Sequence, residues 1–171
     1  MFEYNETIGT LMDYENDHVI VFCIAADTST AKEDEWYAER YGVPKKEIIW
    51  STDVRCVLKN NGKIIYLIDK PNQQIPPTFQ SLKTCLWELR LVCLEHGFRK
   101  IVMPRIESKY FEWSKIYNEG ILWALGDIED MKIRVVYQED KELRILDPDM
   151  EKIHYGENRK GIDGNTRYKY Y

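Results

Sequence analysis

Lys100-Ile101-Val102-Met103-Pro104-Arg105-Ile106-Glu107-Ser108-Lys109-Tyr110-Phe111-Glu112-Trp113 decides how this chain is read. A short apolar run, Ile101 to Met103, stops at Pro104, a polar loop follows, and a helix-like pattern resumes. Such a run is the signature of a buried parallel strand ending at a sheet edge, where α/β proteins place their ligands. The loop Arg105 to Tyr110 therefore becomes the first candidate site.

Working outward, the Thr78 to Gly97 segment is the clearest helix. Thr78 is the expected N-cap, Leu82, Cys85, Leu86, Leu89 and Cys93 form one stripe, and Gly97 stops it. Asp69 to Pro77 is a proline-rich loop. Val54 to Leu58 and Lys63 to Ile68 flank an Asn61-Gly62 pair, a strong hairpin signal. His18 to Ala26, apolar and β-branched, reads as a central strand, and Phe2 to Thr7 as a half-buried one. Lys32 to Tyr41 reads as a helix closed by Gly42, Glu112 to Leu125 as another ended by Gly126, and Lys132 to Tyr137 as a last strand. The alternation predicts a three-layer α/β/α domain with a mixed, partly parallel sheet over residues 1–140. Residues 141–171 read as a partly ordered extension, in which Leu143 to Leu146 could add an edge strand and the tyrosine-rich end could clasp the domain.

The chain has 171 residues, one domain's worth, and a net charge of -5. That balance argues against nucleic acid or a membrane surface as partner, and no apolar run reaches spanning length. A cytoplasmic location is expected, the host cytoplasm for a viral protein. Twelve Tyr and five Trp leave some large rings for the surface, where they can mark a protein interface. Cys23, Cys56, Cys85 and Cys93 form no C-x-x-C pair and read as reduced core thiols. No metal or cofactor is called for. His18, His96 and His154 have no catalytic or ligand spacing, though His96 suits a helix C-terminus.

In order, Gly62-Lys63-Ile64-Ile65-Tyr66-Leu67-Ile68-Asp69-Lys70, Pro77-Thr78-Phe79-Gln80-Ser81-Leu82, Met103-Pro104-Arg105-Ile106 and Glu112-Trp113 resemble a macro domain. The branch most resembled is that of the terminal ADP-ribose protein glycohydrolase. The resemblance implies an ADP-ribose cleft across the carboxyl ends of the central strands, with a lysine nucleophile assisted by an aspartate. It places the lysine at Lys70 and leaves Glu107 or Glu112 to replace the aspartate. The ligand positions it marks are Thr10, Ala26, Asp27, Thr28, Thr30, Lys32, Arg105, Ser108 and Tyr110.

Several of these depart from the family pattern. Thr10 stands where the adenine-binding aspartate belongs, with Asp13 near but out of register. Thr28 to Asp34 replaces the first glycine loop, where Glu33 and Asp34 would repel phosphate and Lys32 partly compensate. Glu107-Ser108-Lys109-Tyr110-Phe111 replaces the second and lacks its glycines and aspartate. Arg105 reads either as a phosphate grip or as an ion pair bracing its loop, and Asp69 as a loop cap. Trp87 and Trp113 read as helix packing. The expected function is a diverged macro-domain binding module, for a protein or an ADP-ribose-like nucleotide, with weak or no hydrolase activity. Alternatives are an ADP-ribosyl hydrolase acting on modified DNA or protein through Lys70, and a viral or phage factor that binds and blocks a host enzyme.

Overall fold

The computed structural model describes residues 1–50, 56–59 and 62–138. Six strands form one sheet: β1 (Glu3–Ile8), β2 (Val19–Ile24), β3 (Cys56–Leu58), β4 (Ile64–Ile68), β5 (Lys100–Pro104) and β6 (Lys132–Tyr137). Their spatial order is β1-β6-β5-β2-β4-β3. All neighbours are parallel except β3 against β4. Each expected strand is present within a residue or two. Gly62, in the left-handed region at φ 72°, gives its N–H to the Lys59 carbonyl at the turn between β3 and β4. The expected extension over 141–171 lies outside the described residues.

The near-continuous burial of β2 and β4 follows from having helices on both faces of the sheet. Alternate residues feed two separate cores. Val21, Cys23, Ile65 and Leu67 pack with α3 (Phe79–His96) and the later helical run. Ile20, Phe22, Ile24 and Tyr66 pack instead with Leu11 and with Tyr37 and Tyr41 of α1 (Glu35–Tyr41), and with Ile49 of α2 (Lys46–Trp50). The three layers are complete.

α3 is built as its residues dictate. The Thr78 hydroxyl accepts from the Ser81 N–H at 3.0 Å, and Gly97 ends the helix at φ 72°. His96, at its end, stacks on Phe98. The Glu112 to Leu125 segment runs as α4 (Trp113–Lys115), a π-helical stretch (Ile116–Ile121) and α5 (Leu122–Leu125). The wider π turn sits where Gly120 passes Leu86 of α3. A Cβ there would meet Leu86 Cδ1 at 2.8 Å. Hydrophobic spacing alone shows a helix but not this insertion. No helix among the described residues is long and apolar enough to cross a membrane. Cys23, Cys56, Cys85 and Cys93 are buried free thiols.

Candidate functional site

The parallel strands β2, β4 and β5 all deliver their carboxyl ends to one sheet edge. There β4 hands over directly to Asp69 and Lys70, while β5 leads through Pro104 into the Arg105–Tyr110 loop. Lys70 Nζ lies 2.7 Å from Glu107 Oε2 and 3.6 Å from Asp69 Oδ1. All three side chains are sealed from solvent, at 3% exposure for Lys70, 6% for Glu107 and 0% for Asp69. Both Asp69 carboxyl oxygens lack a hydrogen-bond partner among the described residues. Asp69 is therefore not the loop cap expected from the sequence. Its backbone carbonyl does that work, accepting the Ser81 hydroxyl at 2.8 Å.

Two buried acids beside one ammonium would leave a net negative charge. Burial first, then the neighbouring charge of Glu107, push the Asp69 carboxyl up to about 9. Asp69 is the neutral member of the pair. Burial alone would weaken the Lys70 ammonium, but the adjacent acids, Glu107 foremost, outweigh it and raise its pKa above the usual lysine value. The Cys23 thiol, pushed up by burial and then by the two acids, stays protonated. Cys23, Asp69 and Glu107 have their donor atoms within 4.8 Å of one another, a spacing compatible with a metal. The Lys70 ammonium already supplies the cation there, so this donor set is a poor metal site.

Each loop keeps a turn that glycine favours, without the glycine. Thr28 sits at φ 70° and Glu107 at φ 54°, conformations that strain a side chain bearing Cβ. Several amides at the end of β2 and the start of the first loop are already bonded. Ala25 and Thr28 donate to Ser29 and Ala25 carbonyls, Ala26 and Asp27 to those of Lys70 and Pro71, and the Ser29 N–H to Asp27 Oδ1. Gln73 adds a bond to the Ser29 carbonyl at 3.1 Å. In the second loop, the Ile106 and Ser108 N–H groups turn back to Pro104 and Arg105, and those of Tyr110 and Phe111 both reach the Glu107 carbonyl. These amides are not available to cradle a pyrophosphate.

Of the other expected site residues, Glu112 is exposed at the start of α4, and no contact joins it to Lys70. Tyr110 places its ring 5.9 Å from Lys70 Nζ, and Lys109 lies 5.3 Å over the same ring. Arg105 grips Glu6 at 2.7 Å and stacks 4.1 Å over Tyr137, tying the loop to β1 and β6. Thr10 gives its N–H to Asp13 Oδ2 at 3.0 Å, so that acid is folded back onto the turn. Thr30 is half-buried and Lys32 exposed at the far lip of the first loop. Asp34, which also feels the Glu107, Lys70 and Lys109 charges, has a carboxyl pushed up to about 7, chiefly by burial. The residue as a whole keeps partial exposure, so Asp69 is the firmer case of a neutral acid. Among the helix tryptophans, Trp113 donates to the Tyr4 hydroxyl at 2.8 Å, while Trp87 is exposed and packs on Trp123 at 5.1 Å.

The architecture has counterparts in solved structures. The macrodomain of Thermus aquaticus DarG superposes with a TM-score of 0.64 at 15% identity, covering 80% of this chain and 99% of that one. The macrodomain of Mycobacterium tuberculosis DarG matches with a TM-score of 0.64 at 14% identity, covering 81% and 99%. The fold is that of a macrodomain. A protein of Bacteroides thetaiotaomicron also matches, with a TM-score of 0.53 at 19% identity over 79% of this chain and 100% of that one. No family profile and no curated protein matches this macrodomain by sequence.

Proposed function

We propose that this macrodomain is a binding module whose cleft has lost efficient ADP-ribosyl hydrolysis. The observation that carries the reading is the seal over Lys70, whose side chain is 3% exposed and held at 2.7 Å by Glu107. A lysine nucleophile needs a neutral amine and a path to the anomeric carbon, and this one has neither. The consumed loop amides add to it, since a pyrophosphate would have to displace bonds already made. The bound partner is a protein or an ADP-ribose-like nucleotide. Exposed Trp87 and Trp123, with exposed Leu91 and Leu122, offer an apolar surface of the kind that proteins recognise. Calorimetric titration with ADP-ribose tests the closed cleft. No saturable heat is expected at micromolar ligand, and a micromolar Kd would overturn the reading.

A second reading is ADP-ribosyl hydrolysis from modified DNA or protein, favoured by the Lys70–Glu107 pair standing at the carboxyl ends of β4 and β5. Glu107 would then act where the branch's aspartate does. Release of ADP-ribose from modified DNA by the parent, abolished in Lys70→Ala, would establish it. Equal behaviour of the two proteins would remove it.

A further inference from the structure

The geometry points to a latch: the Arg105–Phe111 loop closes over Lys70 by inserting Glu107, and Asp69 is the acid that takes over the ammonium when Glu107 withdraws. The inference rests on the closed cleft proposed above and names what closes it. Three observations carry it. First, Glu107 is strained. It holds φ 54° without being glycine, while its carboxylate reaches the Lys70 ammonium at 2.7 Å. Second, the loop is wound around that same residue, with Tyr110 and Phe111 both donating to its carbonyl at 3.0 and 3.2 Å. Lifting Glu107 therefore lifts the turn as a unit. Third, Asp69 is a buried acid with neither oxygen hydrogen-bonded, 3.6 Å from the ammonium. A buried polar group without partners calls for an explanation, and a second resting place for the lysine's charge supplies one.

The exchange conserves charge. In the closed state Asp69 holds the proton, and Glu107 and Lys70 form the ion pair. On opening, the proton passes from Asp69 to Glu107, which leaves as the neutral acid and gives the proton to water outside. Asp69, now a carboxylate, pairs with Lys70. At no point is a buried ammonium left without a counter-ion, the situation that makes ordinary buried pairs costly to break.

Pyridoxal 5′-phosphate, followed by borohydride and peptide mapping, reads access to Lys70, with exposed Lys45 and Lys115 as internal references. Lys70 of the parent is expected to stay unlabelled. Glu107→Gly and Glu107→Asn, both at home in the left-handed region and both too short to cover it, should be labelled about tenfold faster there. Glu107→Gln keeps the cover and should label little. Labelling of parent Lys70 at the reference rate, or equal labelling of the Gly and Gln variants, would overturn the latch. Amide hydrogen exchange over residues 105–111 reads opening without lysine chemistry. Asp69→Asn should slow it severalfold, and unchanged or faster exchange would overturn the part given to Asp69. ADP-ribose binding by the parent with Lys70 still protected would sink the closed-cleft reading and leave the latch standing.

Discussion

Asp69 Oδ1 stands 3.6 Å from Lys70 Nζ without a hydrogen bond, in the shadow of the 2.7 Å pair that Lys70 makes with Glu107. The two acids are thus unequal. One carries the charge and the other the proton, and their variants should differ accordingly.

Replacing Glu107 by Gln removes the 2.7 Å charged hydrogen bond and leaves Lys70 to pair with Asp69, a loss expected to cost about 2 kcal/mol. Asp69→Asn puts a neutral amide of the same shape where the neutral acid stood, and should cost under about 1 kcal/mol. Urea unfolding of both variants checks this. A larger loss in Asp69→Asn than in Glu107→Gln would show that the charges had been assigned to the wrong acids.

The raised Asp69 carboxyl makes stability depend on pH with a definite sign. Between the ordinary carboxylate range and about 9, the folded chain keeps a proton that the unfolded chain has released. Stability is greatest at the lower end of that window and falls as pH rises through it. Asp34, raised to about 7, adds the same sign. Glu15 acts oppositely and lower down: its hydrogen bonds from Arg40 and Tyr41 hold it at about 2, so its contribution is lost as pH falls toward that value. Thermal melts from pH 5 to 9 should show a declining midpoint, flattened in Asp69→Asn.

Thr28 is β-branched, yet adopts φ 70° between Asp27 and Ser29. Its strain should exceed what glycine loses in chain entropy, so Thr28→Gly is expected to raise stability by about 0.5–1 kcal/mol. Denaturant midpoints decide it. A clear loss would mean that the threonine side chain makes contacts worth more than the strain.

Gly120 passes so close to Leu86 that Ala cannot enter without moving it: the Cβ would sit 2.8 Å from a methyl group of a fully buried residue. Gly120→Ala should cost about 1–3 kcal/mol, against the gain Ala gives in an open helix. Pairing it with Leu86→Ala, which makes room, should recover part of that loss in a double-mutant cycle.

The strand and helix order was legible because hydrophobic period, caps and turn residues are local properties. Thr78, Gly97 and the apolar runs of β2, β4 and β5 each carry their own signal. The order of motifs from Gly62 to Trp113 was likewise enough to indicate the macrodomain, later matched by the superpositions. The site was less legible. Spacing offered Glu107 and Glu112 equally as partners of Lys70, and read Asp69 as a loop cap.

Lys70 and Glu107 lie 37 residues apart, and their meeting depends on β4 and β5 flanking β2 in one parallel sheet. The direction of the Glu107 side chain depends further on a left-handed turn that no glycine announced. From the sequence alone came the scaffold, since backbone preference and burial pattern are written residue by residue. Only the tertiary structure decided which acid reaches the lysine, which keeps the proton, and that the pair is sealed. Those are matters of distance and desolvation across strands, and one-dimensional spacing does not contain them.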